Sequence, residues 1–87
     1  MPKLPVITPA KFIRALQVLG FFRVRQKGSH LVMAHADGKR VVVPLHSKDI
    51  PPGTLTGMLK DIEISKDTLV KLTHKKWKVL RSLKDLR

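Results

Sequence analysis

Hydrophobic spacing along this chain switches from helical to strand-like and back. Phe12, Ile13, Leu16 and Leu19 recur at helical intervals. Thr8 before them suits an N-cap, Pro9 suits the first helical position, and Gly20 suits the stop. The pattern predicts an amphipathic helix over residues 8–19, with Lys11 and Arg14 off its apolar stripe. Residues 21–27 then alternate. Phe22 and Val24 share one face, while Arg23, Arg25 and Lys27 share the other with Phe21. This predicts a strand with one wet, cationic side. Gly28-Ser29 breaks it from a second β-run over 30–36. Asp37-Gly38 signals a two-residue hairpin turn, and the Val-rich run Lys39 to Leu45 makes a third strand. A loop from His46 leads through Pro51, Pro52 and Gly53 into a second helix. Its apolar side is Leu55, Met58, Leu59 and Ile62, and it starts either at a Thr54 cap or at the Pro-Pro pair.

The two-residue turn fixes a register. Ala36 pairs with Lys39, so His35 faces Arg40, Val32 faces Val43, and His30 faces Leu45. His30 then stands at the far end of the hairpin, beside His46. The inference depends on the register, because a one-residue slip exchanges the two faces of a strand. His35 falls within the hairpin and His74 in the tail, and both read as structural or surface residues.

The element order is α-β-β-β-α. A three-stranded antiparallel sheet needs one face covered, and two helices on one face do this economically. The fold class is therefore α+β, with the layout of double-stranded-RNA-binding domains, which recognise A-form RNA by shape and phosphate contacts. Residues 1–65 form this compact domain. In residues 66–87, Leu69, Leu72, Val79, Leu80, Leu83 and Leu86 fall near one face of a helix, and lysines and arginines occupy much of the rest. That segment reads as a basic amphipathic extension, begun by Ser65 and Asp67. Trp77 within it is expected to pack the tail onto the body.

Charge narrows the function. Eighteen Lys and Arg against six Asp and Glu give +12 over 87 residues. Half of that excess lies in residues 66–87, so the tail is the more densely charged part. Such an excess favours a polyanion such as nucleic acid. Cysteine is absent, which excludes disulfides and thiolate metal sites. No apolar stretch approaches the ~18 residues of a membrane span, and the first residues lack a signal-peptide core. A cytoplasmic protein without stable membrane association is expected.

Within that cationic field, Lys27-Gly28-Ser29-His30 is the run with chemical content. Metal-free RNA cleavage uses the substrate's 2′-hydroxyl as nucleophile. It needs a base, an acid and a cation to stabilise the crowded phosphorane. His30 is the candidate base or acid, since imidazole exchanges protons near neutral pH. His46 is the candidate complement. Arg23, Arg25 and Lys27 are candidate phosphate contacts. Gly28 permits positive φ or close backbone approach, and Ser29 forms the turn or positions a phosphate oxygen. The few acids of the compact unit, Asp37, Asp49, Asp61 and Glu63, have no carboxylate-cluster spacing, and no P-loop or dinucleotide glycine pattern occurs. Neither a metal nor a cofactor is expected. Phe12, Phe21 and Phe22 read as core, with Phe21 the aromatic to test for base stacking.

Four short motifs in order resemble the HicA (YcfA-like) toxin family. They are the opening helix with Leu19-Gly20-Phe21, then Lys27-Gly28-Ser29-His30, Val42-Val43-Pro44-Leu45-His46-Ser47, and Ile50-Pro51-Pro52-Gly53-Thr54-Leu55. The resemblance spans about residues 6–65. It implies a double-stranded-RNA-binding-like fold and an mRNA interferase that inhibits translation. It also implies a cognate HicB antitoxin that covers the active histidine. The family's catalytic histidine maps to His30 and the motif glycine to Gly28. Residues 70–87 extend beyond the family pattern. Two other classes compete with the toxin reading. One is a non-catalytic double-stranded-RNA-binding module, which leaves the Gly-Ser-His run without purpose. The other is an anionic-membrane protein driven by the tail.

Overall fold

The computed structural model describes residues 6–46 and 48–73. Its elements are α1 (Pro9–Val18), β1 (Phe22–Lys27), β2 (His30–Ala34), β3 (Arg40–Pro44), α2 (Pro52–Asp61) and α3 (Lys66–Thr73). The strands form one antiparallel sheet in the order β1-β2-β3.

Helix boundaries follow the local chemistry. Thr8 Oγ1 accepts the Lys11 N–H at 3.3 Å, and Pro9 opens α1. At the other end Gly20 donates to the Gln17 carbonyl (3.0 Å) and Phe21 to the Leu16 carbonyl (2.9 Å). This double closure needs a left-handed residue at its turn, and Gly20 supplies it with φ +99°. α2 begins at the proline pair: Pro51 is the N-cap, and no side chain caps the helix. Thr54 therefore lies inside the first turn. The end of α2 repeats the closure of α1, with Glu63 bonded to the Lys60 carbonyl and Ile64 to the Leu59 carbonyl. Here a glutamate holds the left-handed position, at φ 56°.

One face of the sheet carries the core. Leu31, Met33, Val41 and Val43 are buried against Phe12 and Leu16 of α1, Leu55 and Leu59 of α2, and Ile62. Each such side chain contributes about 1.5–3 kcal/mol of burial free energy. Leu69 of α3 is 1% exposed and belongs to the same cluster, with Leu72 packed against it. Ser65 Oγ caps α3 by accepting the Thr68 N–H at 3.1 Å. The expectations placed on His74, Trp77 and the rest of the basic tail lie outside the described residues.

Two strand-level expectations are corrected. The β2–β3 connection has three residues, Ala36, Asp37 and Gly38. His35 donates to the Lys39 carbonyl, and Gly38 donates to the His35 carbonyl, both at 2.9 Å. Gly38 takes φ +99°, and Asp37 Oδ1 accepts the Lys39 N–H at 2.9 Å. A tight turn followed by a left-handed glycine closes a three-residue hairpin, so the register shifts by one. His30 faces Pro44, Leu31 faces Val43, and Val32 faces Val42.

The second correction concerns β1. Arg23 faces Met33 while Arg25 faces Val32, leaving Val24 as an extra, bulged residue. The bulge breaks the alternation. Arg23 shares the helix-side face of Met33, whereas Arg25 and Lys27 stay on the open face, so the three cations do not form one row. Phe22 faces Ala34 on the open side and is 51% exposed, so it is not core; Phe12 and Phe21 are.

Candidate active site

The open face of the sheet is a grid of three cross-strand rows. Phe22, Ala34 and Arg40 make the first; Arg25, Val32 and Val42 the second; Lys27, His30 and Pro44 the third. None of these nine residues is acidic. His30 is exposed at the end of the grid, directly opposite Lys27, with Arg25 one row behind.

The turn before His30 is held on both sides. Gly28 has φ +58°, and Ser29 follows without a positive φ. A left-handed glycine at the first of two central positions suits a twisted two-residue hairpin. Gln26 Nε2 donates to the Gly28 carbonyl at 3.0 Å. Leu45, just past β3, donates its N–H to the Ser29 carbonyl at 2.6 Å. That bond carries the chain after β3 against the β1–β2 turn and brings His46 to His30. The two rings lie 6.1 Å apart, centre to centre, at an interplanar angle of 73°.

The remaining site expectations separate in space. Gly28 and Ser29 lie within the turn. Arg23, on the other face, lines a groove beside α1. Arg40 joins the open face at the end away from His30. Sequence reading missed Arg40, because it becomes visible only with the one-residue register shift. Among the described residues, no three His, Cys, Asp or Glu side chains come together as a metal site.

His35 has a different part. Its Nε2 lies 3.1 Å from the Leu19 carbonyl, and its Nδ1 accepts the Asp37 N–H at 3.1 Å. The ring stands edge-on to Phe21 at 5.0 Å. It ties the end of α1 to the hairpin loop, at the end of β2 opposite His30. In that loop Lys39 Nζ bonds Asp37 Oδ2 at 2.7 Å. The Lys39 side chain and backbone N–H together hold the Asp37 carboxyl down at about 2, and Asp37 raises the Lys39 ammonium in return.

With this geometry in hand, the comparison with known families is decisive. The model of the HicA toxin of bacterial toxin-antitoxin systems matches residues 9–64. The chain belongs to the HicA toxin family. It is thus a toxin of such a system, with an antitoxin as its partner, and its α+β sheet is the double-stranded-RNA-binding-like fold of HicA proteins. No curated protein matches the chain. The HicA segment ends before α3, although Leu69 of α3 completes the core. Among the described residues no helix is long and apolar enough to cross a membrane.

Proposed function

We propose that this HicA protein is a metal-independent endoribonuclease of the cytoplasm that cuts mRNA and so stops translation. His30 and His46 divide the proton transfers. One takes the proton of the attacking 2′-hydroxyl as its oxygen bonds to phosphorus. The other gives a proton to the 5′-oxygen as the P–O5′ bond breaks. The products are a 2′,3′-cyclic phosphate and a 5′-hydroxyl. Lys27 and Arg25 offset the negative charge of the phosphorane, and the Gly28-Ser29 turn sets the histidine beside them.

The observation that carries this reading is the pairing of His30 with His46 at a cationic sheet edge. Proton transfer needs heavy-atom approaches of about 2.6–3.2 Å. Rings 6.1 Å apart at their centres can both reach one phosphate laid over that edge. A HicB-type antitoxin would silence the enzyme by covering the open face. There Phe22 and Val42, 51% and 47% exposed, offer apolar area on the two rows that lead away from His30.

Growth after induced expression tests the proposal, comparing the chain with His30→Ala at matched protein levels. Arrest by the first alone, relieved by the co-expressed antitoxin, supports it. Arrest by both favours a non-catalytic RNA-binding module, for which the same fold and cations would suffice.

A further inference from the structure

Arg14, Arg23 and Lys48 line one groove on the helix side of the sheet, and the chemistry at His30 gives them no part. The groove has a volume of about 530 Å³, and its walls include Thr8, Gln17 and Leu45. Each cation arrives by a separate route. Arg14 projects from α1 outside that helix's buried set. Arg23 is turned to this face by the bulge at Val24. Lys48 comes from the loop after His46. All three are exposed, no acidic residue lines the groove, and none of the three makes an ion pair among the described residues.

The groove adjoins the catalytic edge. Leu45 is common to both: it lines the groove, and its N–H fastens the turn that precedes His30. A polyanion lying across the two histidines therefore meets the groove as it passes round the end of the sheet. The cations sit on opposite faces of β1, Arg25 and Lys27 on one and Arg23 on the other. A stiff duplex cannot follow both faces of one strand, whereas a single strand can bend around the edge.

We propose that this groove is a second phosphate-binding subsite, which holds the single-stranded RNA flanking the scissile bond through Arg14, Arg23 and Lys48. The assignment rests on the ribonuclease reading only for the identity of the polyanion.

The test measures binding in the His30→Ala protein, so that RNA is not consumed, with cleavage by the unaltered protein and by His30→Ala followed in parallel. Fluorescence anisotropy is followed across a salt series with single-stranded RNAs of about 4 and about 16 nucleotides and with a duplex of the longer sequence. Arg14→Gln, Arg23→Gln and Lys48→Gln are combined, and circular dichroism checks folding. Each phosphate contact with a single strand contributes about 0.7 to the log–log salt slope, so losing three flattens it by about 2. That flattening is expected with the longer single strand, and far less with the short RNA or the duplex. Arg14→Lys with Arg23→Lys should keep the original slope. An unchanged slope with the longer strand overturns the subsite, and so does equal flattening with the duplex. His30-independent cleavage alongside the expected flattening would sink the catalytic reading and leave the groove standing. His30-dependent cleavage with no flattening would sink the groove alone.

Discussion

Leu45 gives its backbone N–H to the Ser29 carbonyl, and this contact delivers His46 to His30. The meeting of the two rings thus depends on a main-chain bond between the segments that carry them. If they divide the proton transfers, His46→Ala should lower kcat by about 10²–10⁴-fold with little change in KM. It should also remove one limb of the bell-shaped pH–rate profile expected of the unaltered protein. A profile keeping both limbs in His46→Ala would take His46 out of the chemistry.

Glu63 occupies a left-handed position at the end of α2, φ 56°, where Gly20 serves at the end of α1. A non-glycine residue there costs roughly 1–2 kcal/mol, and glycine gives part of that back through a freer unfolded chain. Glu63→Gly should therefore raise stability by about 0.5–1 kcal/mol in urea unfolding. A loss would mean that the glutamate side chain makes compensating contacts.

The converse holds at Gly20. A Cβ there would meet His35 Nε2 at 3.0 Å, in a backbone of φ +99°. Gly20→Ala should cost about 2 kcal/mol, from the left-handed strain and a weakened bond to the Leu19 carbonyl. In a His35→Ala background the same substitution should cost less, because the obstructing ring is gone. Equal costs in both backgrounds would show that the contact contributes nothing.

Asp37 gives a pH signature in the hairpin loop, away from His30. Its carboxyl is lowered from 3.8 to about 2, chiefly by the Lys39 side chain. Because the folded value is the lower one, its support of the hairpin loop is complete above 3.8 and is lost as pH falls through about 2. A carboxyl carbon NMR titration should place the midpoint near the lower value, and Lys39→Ala should move it up toward 3.8. A midpoint already near 3.8 in the unaltered protein would contradict the pairing.

Much of this was legible in the sequence, for reasons that differ by element. Thr8, Pro9 and Gly20 mark α1 because each answers a backbone demand at a helix end. The Gly28-Ser29 turn was equally plain. The Asp37-Gly38 pair was ambiguous: it fits a two-residue turn as well as a three-residue one, and the Asp37–Lys39 bonds favour the longer. The meeting of His30 and His46 tolerated this error, because both lie at strand ends and a slip of one residue leaves them neighbours. The bulge in β1 left no trace, since Phe-Arg-Val-Arg-Gln-Lys alternates smoothly and contains no glycine. Its consequence, the removal of Arg23 from the face that carries His30, needed the structure.

The most direct test is cleavage of a defined single-stranded RNA by purified protein in the presence of EDTA, with His30→Ala measured beside it. The account predicts cuts ending in 2′,3′-cyclic phosphate and 5′-hydroxyl, absent when the 2′-hydroxyl at the cut site is replaced by hydrogen. It predicts at least a hundredfold slower cleavage by a folded His30→Ala protein, the lower bound of the range of about 10²–10⁴ for a lost acid or base. Equal cleavage by the variant, or cleavage at a 2′-deoxy site, would contradict it.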